Sequence, residues 1–136
     1  MRSVRILVVV AAAIVALSAL APSASAASSK AVHLSKTCVS DVLCTVVSDS
    51  FKAIPPGTDV TYVLSDPWNG LAYPTIAVRN GSTTGVCDWN QPGPTVLAKC
   101  TFGTGTGRLT QFHLAVDVTV DADNVWHWDG WYWFGG

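Results

Sequence analysis

Apolar and polar residues alternate with period two along most of the chain from residue 44 onward, the pattern of strands with one buried face. Segments near 44–51, 58–65, 72–79, 83–89, 95–102, 108–120 and 125–134 carry it, separated by IPPG, SDPWNG, NG, QPGP, GTGTG and DADN. Short strands at near-regular spacing, broken by glycine, proline, Asn and Asp, predict an all-β single domain. The expected architecture is an antiparallel barrel of about eight strands, with a β-sandwich as the alternative.

The turns set registers that can be checked against one another. Asn80-Gly81 at a hairpin tip places Ile76 opposite Gly85 and Ala72 opposite Trp89. A turn centred on Gly93-Pro94 places Cys87 opposite Cys100. A five-residue loop from Gly103 to Gly107 then sets Phe102 against Arg108, Ala98 against Phe112 and Val96 against Leu114. Finally, a loop of Ala122-Asp123-Asn124, with Asn124 left-handed, pairs Val120 with Trp126, Val118 with Trp128, Leu114 with Tyr132 and Phe112 with Phe134.

This last register sorts the aromatic stretch NVWHWDGWYWF by face. Trp126, Trp128, Tyr132 and Phe134 join Phe112, Leu114, Val116, Val118 and Val120 on the core or lumen side, and Gly130 leaves room opposite Val116. Gln111, His113, Asp117, Thr119, His127, Asp129, Trp131 and Trp133 fall on the other side. Pairs 126/128 and 131/133 have opposite parity, so a regular strand sends them to opposite faces. A bulge at Asp129-Gly130 would instead put all four tryptophans on one side.

Composition places this domain outside the cell. Arg2 and Arg5 precede an apolar run from Ile6 to Leu20 and the small-residue site Ala24-Ser25-Ala26, the pattern of a secretory signal peptide over residues 1–26 with cleavage before Ala27. The run is shorter than the roughly 20 residues of a spanning helix, and no membrane association is expected after cleavage. The remainder, 27–136, is one domain in which every acidic residue is Asp, a bias against long helices. Of the chain's 8 Lys and Arg, two lie in the leader, leaving six against 9 acidic residues. The resulting charge of −3 excludes a nucleic-acid footprint. Four cysteines in an exported chain, with neither zinc nor redox spacing, indicate disulfides: Cys87–Cys100 from the hairpin register, and Cys38–Cys44 by elimination.

Candidate chemistry is sparse. The register brings Asp117 opposite Asp129, with His127 diagonal to the pair. Desolvated, two such carboxylates would share a proton and supply a general acid, although a solvent-facing pair eased by His127 is the simpler reading. No metal site is expected, since His113 and His127 lie about 20 Å apart along the strands. GTGTG lacks the Lys-Ser/Thr and helix of a phosphate loop, and no Gly-x-Ser-x-Gly elbow is present, so covalent hydrolysis is not expected. Arg108 is expected near Phe102 at the mouth of a lumen, snorkelling from its rim to water.

The segment CTFGTGTGRLTQFHLAVDVTVDADNVWHWDGWYWF, with Phe102, Gly105, Thr106, Gly107, Arg108 and Leu109 in order before a long hairpin, resembles the C-terminal part of dirigent and allene oxide cyclase-like proteins. STTGVCDW upstream looks like that family's glycine and aromatic strand, and the likeness spans roughly residues 82–134. The resemblance implies an eight-stranded barrel whose lumen binds a small apolar molecule, commonly in a trimer, with cyclisation or isomerisation that needs no redox cofactor. The chain departs from the family in its shorter length and its disulfides. Asp117 and Asp129 also face away from the expected lumen.

On this reading a secreted barrel holds an apolar ligand among Tyr62, Phe102, Arg108, Phe112, Tyr132 and Phe134, without a cofactor. The alternative is an extracellular interaction module that uses Trp131, Trp133 and Trp68 to bind glycan, protein or another copy of the chain.

Overall fold

The computed structural model describes residues 28–66, 70–90 and 92–135. The expected signal peptide (1–26) and Trp68 lie outside the described residues. Eight antiparallel strands occupy the rest: β1 (Lys30–Ser40), β2 (Leu43–Asp49), β3 (Asp59–Asp66), β4 (Leu71–Val78), β5 (Gly81–Asp88), β6 (Ala98–Phe102), β7 (Phe112–Val120) and β8 (Trp126–Phe134). They pair in sequence order, and β8 returns to β1, so the sheet closes as a barrel. Among the described residues, closure leaves no unpaired sheet edge for another chain to extend.

The registers set by the Gly93-Pro94 turn and by the loop ending at Asn124 hold. Cys87 pairs with Cys100, and Cys38 with Cys44, and both pairs are disulfide-bonded. β7 and β8 pair as expected from Phe112↔Phe134 to Val120↔Trp126, with Asn124 left-handed at φ 61°. No bulge interrupts β8. Two registers differ by an even number of residues, which preserves the faces while moving the partners. The β4–β5 turn sits at Arg79-Asn80, so Ile76 faces Thr83 and Ala72 faces Cys87, rather than Gly85 and Trp89.

The larger correction concerns β6 and β7: Phe102 pairs with Leu114 and Ala98 with Val118, not with Arg108 and Phe112. The connection runs from Gly103 to Gln111 instead of ending at Gly107, and includes a 3-10 turn at Gly107–Leu109. Its backbone folds onto the β4–β5 hairpin, where the Thr106 N–H donates to Ser82 O and the Arg108 N–H to Asn80 O, both at 2.8 Å. At Gly105 and Gly107 a Cβ would collide with those same carbonyl oxygens, Ser82 O and Asn80 O. The two glycines therefore serve close backbone approach, and the loop drops Leu109 into the core, fully buried.

Inward side chains divide the barrel into two unlike ends. At one end Phe51 and Ile54 from the β2–β3 connection and Leu109 from the β6–β7 connection are buried with Phe102, Phe112 and Trp128. Phe51 stacks on Tyr132 at 4.5 Å, and Phe102 tilts against Trp128 at 5.3 Å. This end is solid. Toward the other end the inward residues shrink to Ala72, Ala98, Val118 and the two disulfides, which cannot fill the same cross-section.

Gly85 lies opposite Phe102, and a Cβ there would overlap both the Phe102 ring and the Thr101 carbonyl oxygen. Gly85→Ala should therefore destabilise the fold by about 1–3 kcal/mol, the usual cost of over-packing, read as a lower urea midpoint with unchanged slope. A midpoint equal to wild type would show that the Phe102 ring has room to move.

Candidate functional site

β1 alternates as a strand must. Val32, Leu34, Lys36 and Cys38 occupy its inward positions, and Lys36 is only 2% exposed. Pairing with Val46 on β2 and Trp126 on β8 holds its backbone. The ammonium nitrogen ends among aromatic groups: Nζ donates to Tyr62 Oη at 2.6 Å, and lies 4.8 Å from the centres of the Tyr62 and Trp128 rings and 5.5 Å from that of Trp126. Cys44 Sγ is 3.6 Å away. Among the described residues, no ion pair includes Lys36.

Two effects oppose each other at this nitrogen. Ring faces favour the cation by about 0.5–2 kcal/mol each, whereas burying an ammonium without a counter-charge costs several kcal/mol. Burial wins, and it pulls Lys36 from its ordinary 10.5 down to about 7. The same burial pushes the Tyr62 hydroxyl well above the usual phenol range, so Tyr62 keeps its proton. Near neutral pH the site thus holds an amine that gains and loses a proton readily beside a phenol that does not.

Lys36 and Tyr62 line a cavity of about 380 Å³ at the loosely filled end of the barrel. Its walls include Ala72, Val118 and the half-cystines Cys38, Cys44, Cys87 and Cys100, while Trp89 and Trp126 stand near the rim in an edge-to-face contact at 6.1 Å. Residues of the β1–β2 turn, Val39, Ser40 and Asp41, complete the mouth. The volume falls in the range of small-molecule sites, about 300–1,000 Å³. A second concavity, of about 590 Å³, is an open groove on the outside of β6, β7, β8 and β1, where Gly130 leaves a gap between Trp131, Lys99 and Asp117. Despite its greater volume it encloses less.

Of the six residues expected to hold a ligand, only Tyr62 reaches the cavity. Phe102 and Phe112 are buried in the solid end, where Tyr132 and Phe134 pack around Phe112 at 6.5 and 5.4 Å. Arg108 is not at the cavity mouth. It is exposed in the 3-10 turn and donates from Nη2 to the Lys52 carbonyl, because the β6–β7 connection lies at the same end of the barrel as the β2–β3 connection, whereas the cavity opens at the β1–β2 and β7–β8 turns.

Asp117 and Asp129 do face each other on the outer surface, but each has its own partner: Lys99 Nζ at 2.7 Å from Asp117, and His33 Nδ1 bonded to Asp129. His127 bonds neither. Its Nε2 lies 2.8 Å from Asp121 Oδ2 and its Nδ1 3.0 Å from Ser35 Oγ, which is also 3.3 Å from His33 Nε2. The hydrogen bond to His127 lowers the Asp121 carboxyl below its usual range. Asp121, His127, Ser35, His33 and Asp129 thus form one polar chain across β8 and β1, beside which the two imidazoles stack at 5.5 Å. Ser35 is 6% exposed on a regular strand, so its hydroxyl serves to join the rings and is not presented to a substrate.

Trp128 is completely buried and Trp126 half-buried at the cavity rim, whereas Trp131 is 56% exposed. Trp133, on the same outer face, is half-buried and stacks on His113 at 5.2 Å.

No protein-family model, curated protein or solved structure matches the chain.

Lys36 makes stability depend on pH in a defined direction. Below about pH 7 it is charged both folded and unfolded, and the burial penalty is fully present. Between pH 7 and 10.5 the unfolded chain holds a proton that the folded protein has released, so stability rises with pH across that window. Lys36→Met should flatten this rise and be more stable than wild type at pH 6. Urea unfolding of both proteins at pH 6 and pH 9 checks it, and parallel pH dependences would mean that Lys36 titrates normally.

Proposed function

We propose that this is a secreted protein that binds a small, largely apolar molecule in the open end of its barrel. The cavity of about 380 Å³ around Lys36 and Tyr62 carries the reading. Apolar walls with a few convergent polar groups are the usual composition of a ligand site, and the polar pair stands beside its aromatic lining, where it can orient a bound molecule. Tyr62, Trp89 and Trp126 offer ring faces to a flat ligand. The resemblance to dirigent and allene oxide cyclase-like proteins favours the same location. Turnover of the ligand by isomerisation or cyclisation would use the Lys36 amine for proton transfer, with Tyr62 as its hydrogen-bond partner, rather than Asp117, Asp129 or His127 on the outside.

A second surface role is favoured by one observation, the 56% exposure of Trp131 beside the groove at Gly130. Trp131 there would contact a glycan, a protein or another copy of the chain, as in the trimers the resemblance implies. Trp133 contributes less, being held against His113.

A solvatochromic apolar dye distinguishes the two. Its emission should rise and shift to the blue with the wild-type protein, and both changes should be lost in Ala72→Trp, which fills the cavity, but retained in Trp131→Ser. Loss in Trp131→Ser alone would assign binding to the outer surface. Far-ultraviolet circular dichroism verifies that each variant is folded.

A further inference from the structure

We infer that the cavity captures carbonyl compounds, apolar aldehydes or ketones, as a reversible imine on Lys36. The inference rests on the ligand-binding reading above and names the chemical class of the ligand. Three features of the site converge on it. Lys36 lines the cavity, whose mouth also carries Asp41, and its Nζ has no carboxylate within ion-pair distance among the described residues, so no ion pair has to be broken before the nitrogen reacts. Tyr62 Oη stands 2.6 Å from that nitrogen, within reach of any atom bonded to it. The faces of Tyr62, Trp126 and Trp128 surround the same point, 4.8–5.5 Å away, and would stabilise an iminium cation as they do the ammonium.

The chemistry balances without an oxidant or reductant. The neutral amine of Lys36 adds to the carbonyl carbon, forming the C–N bond, and the carbonyl oxygen becomes a hydroxyl in the carbinolamine. The nitrogen lone pair then forms the C=N bond as the C–O bond breaks, and the nitrogen's remaining hydrogen goes to the departing oxygen, which leaves as water; the Tyr62 hydroxyl keeps its own proton and donates a hydrogen bond to that oxygen. One amine and one carbonyl thus yield one imine and one water. A lysine desolvated in an apolar pocket is suited to this role because a useful fraction is unprotonated near neutral pH. Lys30, Lys52 and Lys99 are exposed and lie outside the cavity.

Trapping tests the inference directly. The folded protein, disulfides intact, is treated at pH 7 with cinnamaldehyde and cyanoborohydride, which reduces an imine to a stable secondary amine, and the adduct is located by peptide mapping. A single adduct on Lys36 is expected, formed at least about tenfold faster than on Lys30, Lys52 or Lys99. Tyr62→Phe should slow it by about tenfold or more, through loss of the hydrogen bond to the departing oxygen. Lys36→Met should form no adduct in the cavity, with far-ultraviolet circular dichroism verifying that the variant is folded.

Equal labelling of all four lysines, or none at Lys36 while dye binding persists, overturns the imine and leaves the ligand-binding reading standing. Loss of dye binding from folded wild-type protein would remove both. Should Lys36→Met fail to fold, the wild-type peptide map alone still decides.

Discussion

The pairing of the first strand with the last holds the barrel shut, and the position of the buried amine follows from it. β1 meets β8 without a shift from Lys30↔Tyr132 to Lys36↔Trp126, and each residue's face is then fixed by its parity. Val32 and Leu34 enter the core, and so does Lys36. A slip of one residue would free the lysine to reach water, but would expose Val32, Leu34 and Cys38 while driving His33 and Ser35 inward. Two aliphatic side chains, each stabilising by about 1.5–3 kcal/mol when buried, and a disulfide outweigh one costly ammonium whose charge can be relieved by releasing a proton. On the outside the same pairing brings Ser35 and His33 of β1 to His127 and Asp129 of β8, so the polar chain there is a second consequence of this register.

The two ends of the barrel answer different demands. Rings fill the end beneath the β2–β3 and β6–β7 connections, where Phe112 and Trp128 are completely buried. The cavity end has smaller side chains and correspondingly less packing to hold it together. Both disulfides line this cavity, joining β1 to β2 and β5 to β6. Closing loops of these lengths contributes about 2–3 kcal/mol each in the chain-entropy model. The cross-links offset the missing packing at the cavity end.

Much of the architecture was legible in the sequence because its turns are chemically explicit. Gly93-Pro94 placed Cys87 against Cys100, and Asn124 set the last hairpin residue by residue. The β6–β7 partners were misplaced because GTGTG looks like the whole turn, whereas its glycines make room for the β4–β5 hairpin and the chain needs until Gln111, left-handed at φ 61°, to reverse. β1 was missed altogether, and the cavity's amine with it. Val32, Leu34 and Cys38 do alternate with polar residues, but Lys36 takes the third of the four inward positions and breaks the pattern. That break was the available signal: a lone lysine in register with buried residues marks a position where charge costs stability. The polar chain on the outer face had no comparable signature, since its members come from strands more than 90 residues apart in sequence.

The account turns on the protonation of Lys36, since an amine held in the aromatic cavity must lose its proton far more easily than a surface lysine. Titrating the protein with carbon-13 label at the lysine Cε positions, followed by NMR from pH 5 to pH 11, measures this residue directly, with Lys36→Met supplying the assignment. One lysine should titrate with a midpoint near 7, apart from the others, and its signal should vanish in the variant. A Lys36 resonance that moves near its ordinary 10.5 would show that its nitrogen reaches water, contradicting the buried site described here.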